Sequence, residues 1–249
     1  MKRFGVFAKT FSRASLKEVL DAVVVHGFDC VQFNMACAGL PTLPTAVPGD
    51  VVQSIIDSKL HVAATSGTFN IIDADLARRE RNLERLGVLA GFCAAVGCPI
   101  ITLCSGTRDP LDMWREHPEN VGKEAWSDMI GALEIALRVT EPFDVILGIE
   151  PEPANVINDA RRARRLLDEM KSPRLKIVMD GANILEPLAD AFDLLGRDIA
   201  LVHAKELRKM DWPLYFSLMS KCGYDGTIIL HGFPEDKVSS ALEKLSRVR

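Results

Sequence analysis

The chain alternates between short apolar runs and longer stretches in which apolar residues recur with helical spacing. Eight such pairs follow one another, and every helical stretch is followed by an apolar run, which is the pattern of a parallel sheet buried on both faces. The predicted strands, of which the third and fourth continue into polar loops, are 4–8, 30–34, 61–70, 99–109, 145–150, 176–180, 199–203 and 227–231. The predicted helices are 12–26, 50–58, 73–96, 124–140, 157–170, 187–195, 211–222 and 235–247.

The chain length favours one closed barrel. At 249 residues, 48% of them apolar, the chain has the size of a single (β/α)8 barrel, which typically has about 250 residues. The alternative, an open doubly wound sheet, is expected to carry a glycine-rich turn after its first strand. The segment FAKTFSRAS at 7–15 contains no glycine. The sequence therefore predicts an α/β protein with one domain over residues 1–249, a single (β/α)8 TIM barrel.

Four consecutive apolar runs end in a residue that can hold a metal ion. VILGIE ends in Glu150, KIVMD in Asp180, IALVH in His203 and TIILH in His231. One such residue alone is more often a helix cap or a packing residue. Four at the ends of adjacent strands converge on one mouth of a barrel, where active sites are built. No charged residue interrupts VILGI, IVM, IALV or TIIL, so the pattern predicts a metal site.

Charge and cysteine usage exclude several classes of protein. The net charge of −4 and the pI near 5.8 argue against nucleic-acid binding, which normally requires a basic face. The six cysteines form no CxxC pair, and with no signal peptide they predict reduced thiols in a cytoplasmic protein. The apolar runs are too short to span a bilayer, so no membrane partner is expected.

Polar side chains near the strand ends are candidates for substrate binding. Asn34 ends the second predicted strand on the same face as Gln32, and Ser66 opens the polar loop after the third strand. A Ser-Gly-Thr turn at 105–107 can present backbone N–H groups to an anionic or polyhydroxyl ligand, with Arg108 beside it. The segment 111–120, which contains Trp114 and His117, has the length of a lid over the mouth.

Four segments resemble the xylose isomerase-like TIM barrels, a superfamily that includes sugar isomerases and epimerases and endonuclease IV. They are GIEPE at 148–152, MDGAN at 179–183, VHAKE at 202–206 and the strand after GYDGT. The loops SGTFN and LCSGTRDPLDMW are similar to those of bacterial sugar phosphate isomerases/epimerases. The resemblance implies a divalent cation held by residues after strands five to eight. The matching positions are Glu150, Asp180, His203 and, where the family commonly has glutamate, His231.

The resemblance also implies a mechanism. A metal bound to two adjacent oxygens of a hydroxy-ketone assists proton abstraction and formation of an enediolate. Glu150 is the expected base, and His231, if it is not a metal ligand, returns a proton. Lys205 is expected to polarise a substrate oxygen or to bind phosphate. Further candidates are Glu152 and Glu206 as reserve bases, with Glu152 and Asn183 also contacting substrate.

Two acids and two imidazoles favour Mn, Zn, Co or Fe over Mg, which prefers oxygen ligands and water. The expected partner is a small carbohydrate, and the sequence leaves a homo-oligomer open. Two alternatives remain beside the isomerase/epimerase: a metal-dependent lyase or dehydratase of a cyclic polyol ketone, and a catalytically silent sugar-binding barrel. An endonuclease IV-like enzyme is set aside. It needs a three-zinc cluster, which takes more histidines than the five in this chain, and a basic groove, which the net charge of −4 does not favour.

Overall fold

A computed structural model describes residues 2–205 and 210–248, and in it eight parallel strands close into a barrel in sequence order. The strands are β1 (Arg3–Phe7), β2 (Cys30–Phe33), β3 (His61–Ser66), β4 (Ile100–Cys104), β5 (Ile146–Glu150), β6 (Leu175–Asp180), β7 (Ile199–Ala204) and β8 (Thr227–Leu230). The helices are α1 (Leu16–Val25), α2 (Gly49–Ser58), α3 (Leu76–Ala95), α4 (Lys123–Thr140), α5 (Ala160–Met170), α6 (Leu188–Leu195), α7 (Trp212–Lys221) and α8 (Glu235–Val248). The predicted (β/α)8 TIM barrel is confirmed.

Side-chain caps determine where several helices begin. Ser15 and Glu18 form a reciprocal capping box at the start of α1. Helices α3 and α5 were both predicted to begin earlier than they do, from residues 73 and 157. Their true starts follow Asp75 and Asp159, whose carboxylates accept hydrogen bonds from backbone N–H groups in the first turn. The aspartates fix the starts because they satisfy N–H groups that have no partner within the helix.

The alternation of side chains along each strand divides the core into two parts. Outward-facing side chains pack beneath the helices, whereas a smaller cluster fills the barrel interior: Cys30, Ala63, Ala64, Ile100, Val178, Leu201 and Ile229. The next inward position along β2, β4, β7 and β8 is polar: Gln32, Thr102, His203 and His231. The interior is therefore apolar below and polar at the C-terminal mouth. No helix in the described ranges is both long and apolar enough to cross a membrane.

An ion-pair cluster ties β6, α5 and the turn before β7 together at the opposite end of the barrel. The carboxylate of Asp198 lies 2.7 Å from Lys176 Nζ and 2.7 Å from Arg164. Partial burial opposes ionisation of Asp198, but hydrogen bonds from Lys176 and Arg164 outweigh it and lower the pKa of the carboxyl. The cluster therefore stabilises the fold at pH values above the ordinary aspartate pKa, and this contribution is lost as the pH falls through the lowered value.

We expect Asp198→Asn to reduce the free energy of unfolding at pH 7 by about 1–2 kcal/mol, because two charge-assisted hydrogen bonds are weakened. The matched control is Asp168→Asn, which pairs with the same Arg164 but has a side chain 66% exposed and should change stability little. Chemical denaturation at pH 7 and at about pH 3 checks both variants, since the difference from wild type should shrink at the lower pH. Equal losses in the two variants, or a loss that does not depend on pH, would contradict this account.

Candidate active site

A cavity of about 390 Å³ lies at the C-terminal mouth of the barrel. Seven of the predicted site residues line it: Asn34, Ser66, Glu150, Glu152, His203, Lys205 and His231. A larger cavity of about 570 Å³ lies outside the barrel between α6 and α7, around Phe192 and Leu218. That outer cavity has no imidazole among the described residues that line it. The concentration of acids and imidazoles makes the mouth the candidate active site.

Three of the four predicted metal ligands meet at this mouth. Glu150, Asp180 and His203 each offer one ligand atom, and these atoms lie within 4.8 Å of one another. The strand register explains the arrangement, because Asp180 pairs with His203 in the adjacent strands β6 and β7. All three side chains are buried. A second group, Cys104, Glu150 and Glu152, also lies within 4.8 Å and shares one carboxylate with the first.

One oxygen of the Glu150 carboxylate lies close to three nitrogen atoms. Its Oε1 lies 3.2 Å from His203 Nδ1, 3.2 Å from Asn183 Nδ2 and 3.3 Å from Lys205 Nζ. Burial alone would raise the pKa of Glu150, but the positive potential of His203 and Lys205 outweighs it and lowers the pKa. Glu150 is therefore an ionised group held in place. Asn183 is its neighbour, and the role of Asn183 as a substrate contact stays a prediction.

Asp180 uses its two oxygens differently. Its Oδ1 accepts a hydrogen bond of 3.0 Å from the backbone N–H of Ala182. Its Oδ2 is buried and lies 2.5 Å from Lys205 Nζ, with which it forms an ion pair. Burial and the nearby charge of Glu150 raise the pKa of Asp180, against the effect of Lys205. Asp180 Oδ2 is thus an acceptor whose place in the fold suits a cation.

Gln32 orients the imidazole of His203. Its Oε1 lies 2.7 Å from His203 Nε2, and its own amide donates to Ser66 Oγ at 3.1 Å and to Thr102 Oγ1 at 3.4 Å. The two hydroxyl acceptors fix which end of the amide faces the ring. Nε2 is therefore engaged as a donor, and Nδ1 is the nitrogen that faces Glu150. Partners of this kind orient metal-binding histidines in many sites.

The ring of His231 lies between two other rings. It stacks on Phe7 with ring centroids 4.5 Å apart and on His203 with centroids 4.8 Å apart, the planes of the two imidazoles differing by 22°. A metal ion binds an imidazole nitrogen in the plane of the ring, so two nearly parallel rings direct their lone pairs side by side and not at one ion. Burial, followed by the charge of His203, lowers the pKa of His231 to about 3. His231 is not part of the triad, and its role as a ligand stays a prediction.

The predicted anion-binding turn at 105–107 is occupied by the protein itself. The backbone N–H groups of Gly106, Thr107 and Arg108 donate to the side-chain oxygens of Asn155, Asn70 and Asn120, respectively. The N–H groups of Gly106, Thr107 and Arg108 are therefore already used within the protein. The reason is tertiary, because the three asparagines come from three different loops.

Arg108 is not brought to the cavity. Its guanidinium lies 2.7 Å from Asp128 on α4, and it is absent from the described residues that line the mouth. The geometry therefore gives no support to its prediction as a substrate contact. In the predicted lid, Trp114 lines the cavity and is 52% exposed, whereas His117 caps a short 3-10 turn through its Nδ1. Glu206, the other reserve base, lies outside the described residues.

Glu152 has an environment distinct from that of Glu150. Burial and the adjacent charge of Glu150 raise its pKa to about 7, with Lys205 and Asn183 acting in the opposite direction. Sequence reasoning missed several other lining residues, among them Lys9, Thr102 and Cys104. Strand parity was the available signal, since Thr102 and Cys104 share a face of β4, and Lys9 follows β1 on the face of Phe7.

Glu150, Asp180 and His203 fit a divalent cation. Two carboxylates and one imidazole are a common donor set for Mn, Fe, Co or Zn. The buried Asp180 Oδ2, whose negative charge is balanced by the ammonium of Lys205, supplies one ligand position. His203 Nδ1 and Glu150 supply the others, with the second ring nitrogen held by Gln32.

Solved structures with the same fold include sugar epimerases. The 3-keto-D-glucoside 4-epimerase YcjR from E. coli is 18% identical over 99% of this chain and 100% of its own, with a TM-score of 0.77. D-Psicose 3-epimerase from Clostridium cellulolyticum H10 is 15% identical over 99% of both chains, with a TM-score of 0.80. An AP endonuclease of family 2 from Brucella melitensis is 18% identical over the whole of both chains, with a TM-score of 0.76. At these identities the likeness establishes the fold.

The family model for the xylose isomerase-like TIM barrel matches residues 20–248, which is most of the chain. This match agrees with the closed barrel and with the sequence motifs at the ends of β5, β6 and β7. The protein belongs to the xylose isomerase-like TIM barrel family.

Proposed function

We propose that the protein is a divalent-metal-dependent isomerase or epimerase of a small carbohydrate. The observation that carries the proposal is the triad of Glu150, Asp180 and His203, whose ligand atoms lie within 4.8 Å of one another, with Glu150 and His203 lining the cavity. Hydroxyl and amide groups such as Thr102 and Asn34 line the same cavity and suit a polyhydroxyl substrate. Sugar epimerases among the structures of the same fold support this substrate class.

The metal, when bound, would polarise two adjacent oxygens of a hydroxy-ketone and stabilise the negative charge that develops on them. Glu150 accepts from Asn183 and Lys205 and faces His203 Nδ1, so we assign it to metal binding and not to proton abstraction. This departs from its predicted role as the base. Glu152 lines the cavity two residues later and is the carboxyl assigned to the proton.

In the proposed reaction the Glu152 carboxylate takes the proton from the carbon beside the carbonyl. The electron pair of that C–H bond moves to the carbonyl oxygen, which gives an enediolate. His231 comes from β8, which β6 and β7 separate from β5, and in this proposal acts on a second side of the substrate. Lys205 lines the same cavity and contacts a substrate oxygen in this proposal. A proton relayed from water through the neutral ring of His231 to the other face of that carbon gives the epimer, and Glu152 then releases its proton to water. Return of the Glu152 proton to the former carbonyl carbon, with transfer of the hydroxyl proton to the former carbonyl oxygen, gives the isomer.

The proposal predicts metal-dependent exchange of a carbon-bound hydrogen. The protein, reconstituted with Mn²⁺ or Zn²⁺, is incubated in deuterated water with ketoses, ketose phosphates and a cyclic polyol ketone. We expect deuterium at the carbon beside the carbonyl, a loss of exchange with a chelator, and a decrease of about 100-fold or more in Glu150→Gln, since a ligand is removed. Glu134→Gln, on the exposed face of α4, is the matched control.

NMR and mass spectrometry of the sugars provide the measurement. Absence of metal-dependent exchange across the panel would overturn the proposal. Elimination of water from the cyclic ketone in place of exchange would assign a lyase to the same site, and stoichiometric sugar binding without turnover would assign a silent binding barrel.

The hydrogen bond between Gln32 and His203 predicts a second result. We expect Gln32→Leu to weaken metal binding about 10- to 100-fold, because the ring is no longer held with Nδ1 toward Glu150. Titration calorimetry with Mn²⁺ and Zn²⁺ measures the affinity, and circular dichroism checks the fold. Gln53→Leu on the surface of α2 is the matched control, since Gln53 bonds only to Asp57 among the described residues. Wild-type affinity in a folded Gln32→Leu protein would contradict this role.

A further inference from the structure

The ammonium group of Lys205 lies between the two carboxylates of the triad. Its Nζ is 2.5 Å from Asp180 Oδ2 and 3.3 Å from Glu150 Oε1, and the side chain is only 22% exposed. Burial would lower the pKa of this lysine, but the two carboxylates together outweigh it and raise the pKa. Lys205 is therefore the charged counter-ion of a buried pair of acids.

The same two oxygens are the carboxylate ligands of the proposed metal centre. Divalent transition metals bind carboxylate oxygens at about 2.0–2.2 Å. An ion at that distance from Asp180 Oδ2 and Glu150 Oε1 would contact the ammonium or repel it strongly at short range. The two carboxylates carry two negative charges, whereas a divalent metal and the ammonium together carry three positive charges. The short ion pair with Lys205 is therefore lost when the metal binds. The metal and the ammonium therefore compete for one position.

We propose that Lys205 is an intramolecular competitor for the cation position, leaving Asp180 and Glu150 when a divalent metal binds and turning its ammonium into the cavity. The inference rests on the proposed metal centre. The cavity has room for the displaced group, because Lys205 already lines it, as does Lys9 across the mouth. Metal binding and exposure of the lysine to substrate are then one event, and the protein without metal keeps its buried acids neutralised.

The first test compares metal affinity in three proteins. Titration calorimetry with Mn²⁺ and with Zn²⁺ is performed on the wild type, on Lys205→Met and on Lys9→Met. Methionine preserves the length of the side chain while removing the charge. Lys9→Met is the matched control, because it removes one positive charge from the same cavity and no described carboxylate pairs with Lys9. We expect Lys205→Met to bind metal on the order of tenfold more tightly or better, and Lys9→Met to change the affinity much less.

The outcomes separate this inference from the proposed function. If the wild type and Lys205→Met bind metal with equal affinity, or if both lysine variants gain equally, the competition is overturned while the metal centre stands. If no protein binds either ion, the metal centre falls as well. Metal binding by Lys205→Met alone would support the competition in its strongest form.

A second test uses the wild-type protein and so does not depend on the folding of a variant. Reductive methylation with formaldehyde and a borane is followed by mass spectrometry of the peptide that contains Lys205. We expect slow modification without metal and a several-fold increase after addition of Mn²⁺ or Zn²⁺, because only an ammonium released from its acids is accessible and readily deprotonated. Lys17, whose side chain is 81% exposed on α1, is the internal reference. An unchanged or lower rate at Lys205 in the metal-bound protein would overturn the proposal.

Discussion

The active-site mouth depends on the neutralisation of two buried carboxylates. Glu150 and Asp180 end neighbouring parallel strands, and the inward parity of both strands brings them together where little solvent reaches. Like charges in such a place repel strongly and are costly to desolvate. The fold tolerates them because Lys205 bridges the pair and His203 lies against Glu150. The same need for positive charge makes the position suitable for a divalent ion.

The surrounding polar side chains keep this arrangement rigid. His203 donates from Nε2 to Gln32 and faces Glu150 with Nδ1, and Gln32 is itself fixed by hydroxyl groups on β3 and β4. The loop after β4 is held just as firmly by the three asparagine side chains that accept from its backbone N–H groups. A site built in this way is preorganised, since its ligands need little rearrangement when an ion binds.

The fold and the meeting of Glu150, Asp180 and His203 could both be predicted from the sequence, and for the same reason. Strand periodicity and the residue at the end of each strand are local features, and a closed barrel converts them into a shared location. Glu150, Asp180 and His203 therefore meet as their positions in the sequence predict. Long-range pairings were beyond such reasoning. The pairing of Arg108 with Asp128 on α4 and the contacts of the 105–107 turn with Asn70 and Asn155 join a loop to a helix or to other loops.

The stacking of His231 could not be predicted either, because its ring direction is set by Phe7 and His203 and not by its place on β8. The consequence concerns charge. A glutamate at this position would add a further acid to a mouth that already holds Glu150, Glu152 and Asp180. The imidazole of His231 has its pKa lowered to about 3, chiefly by burial, so at neutral pH it brings a proton acceptor without a negative charge. Histidine at the end of β8 therefore leaves the charge of Lys205 to the acids that it already contacts.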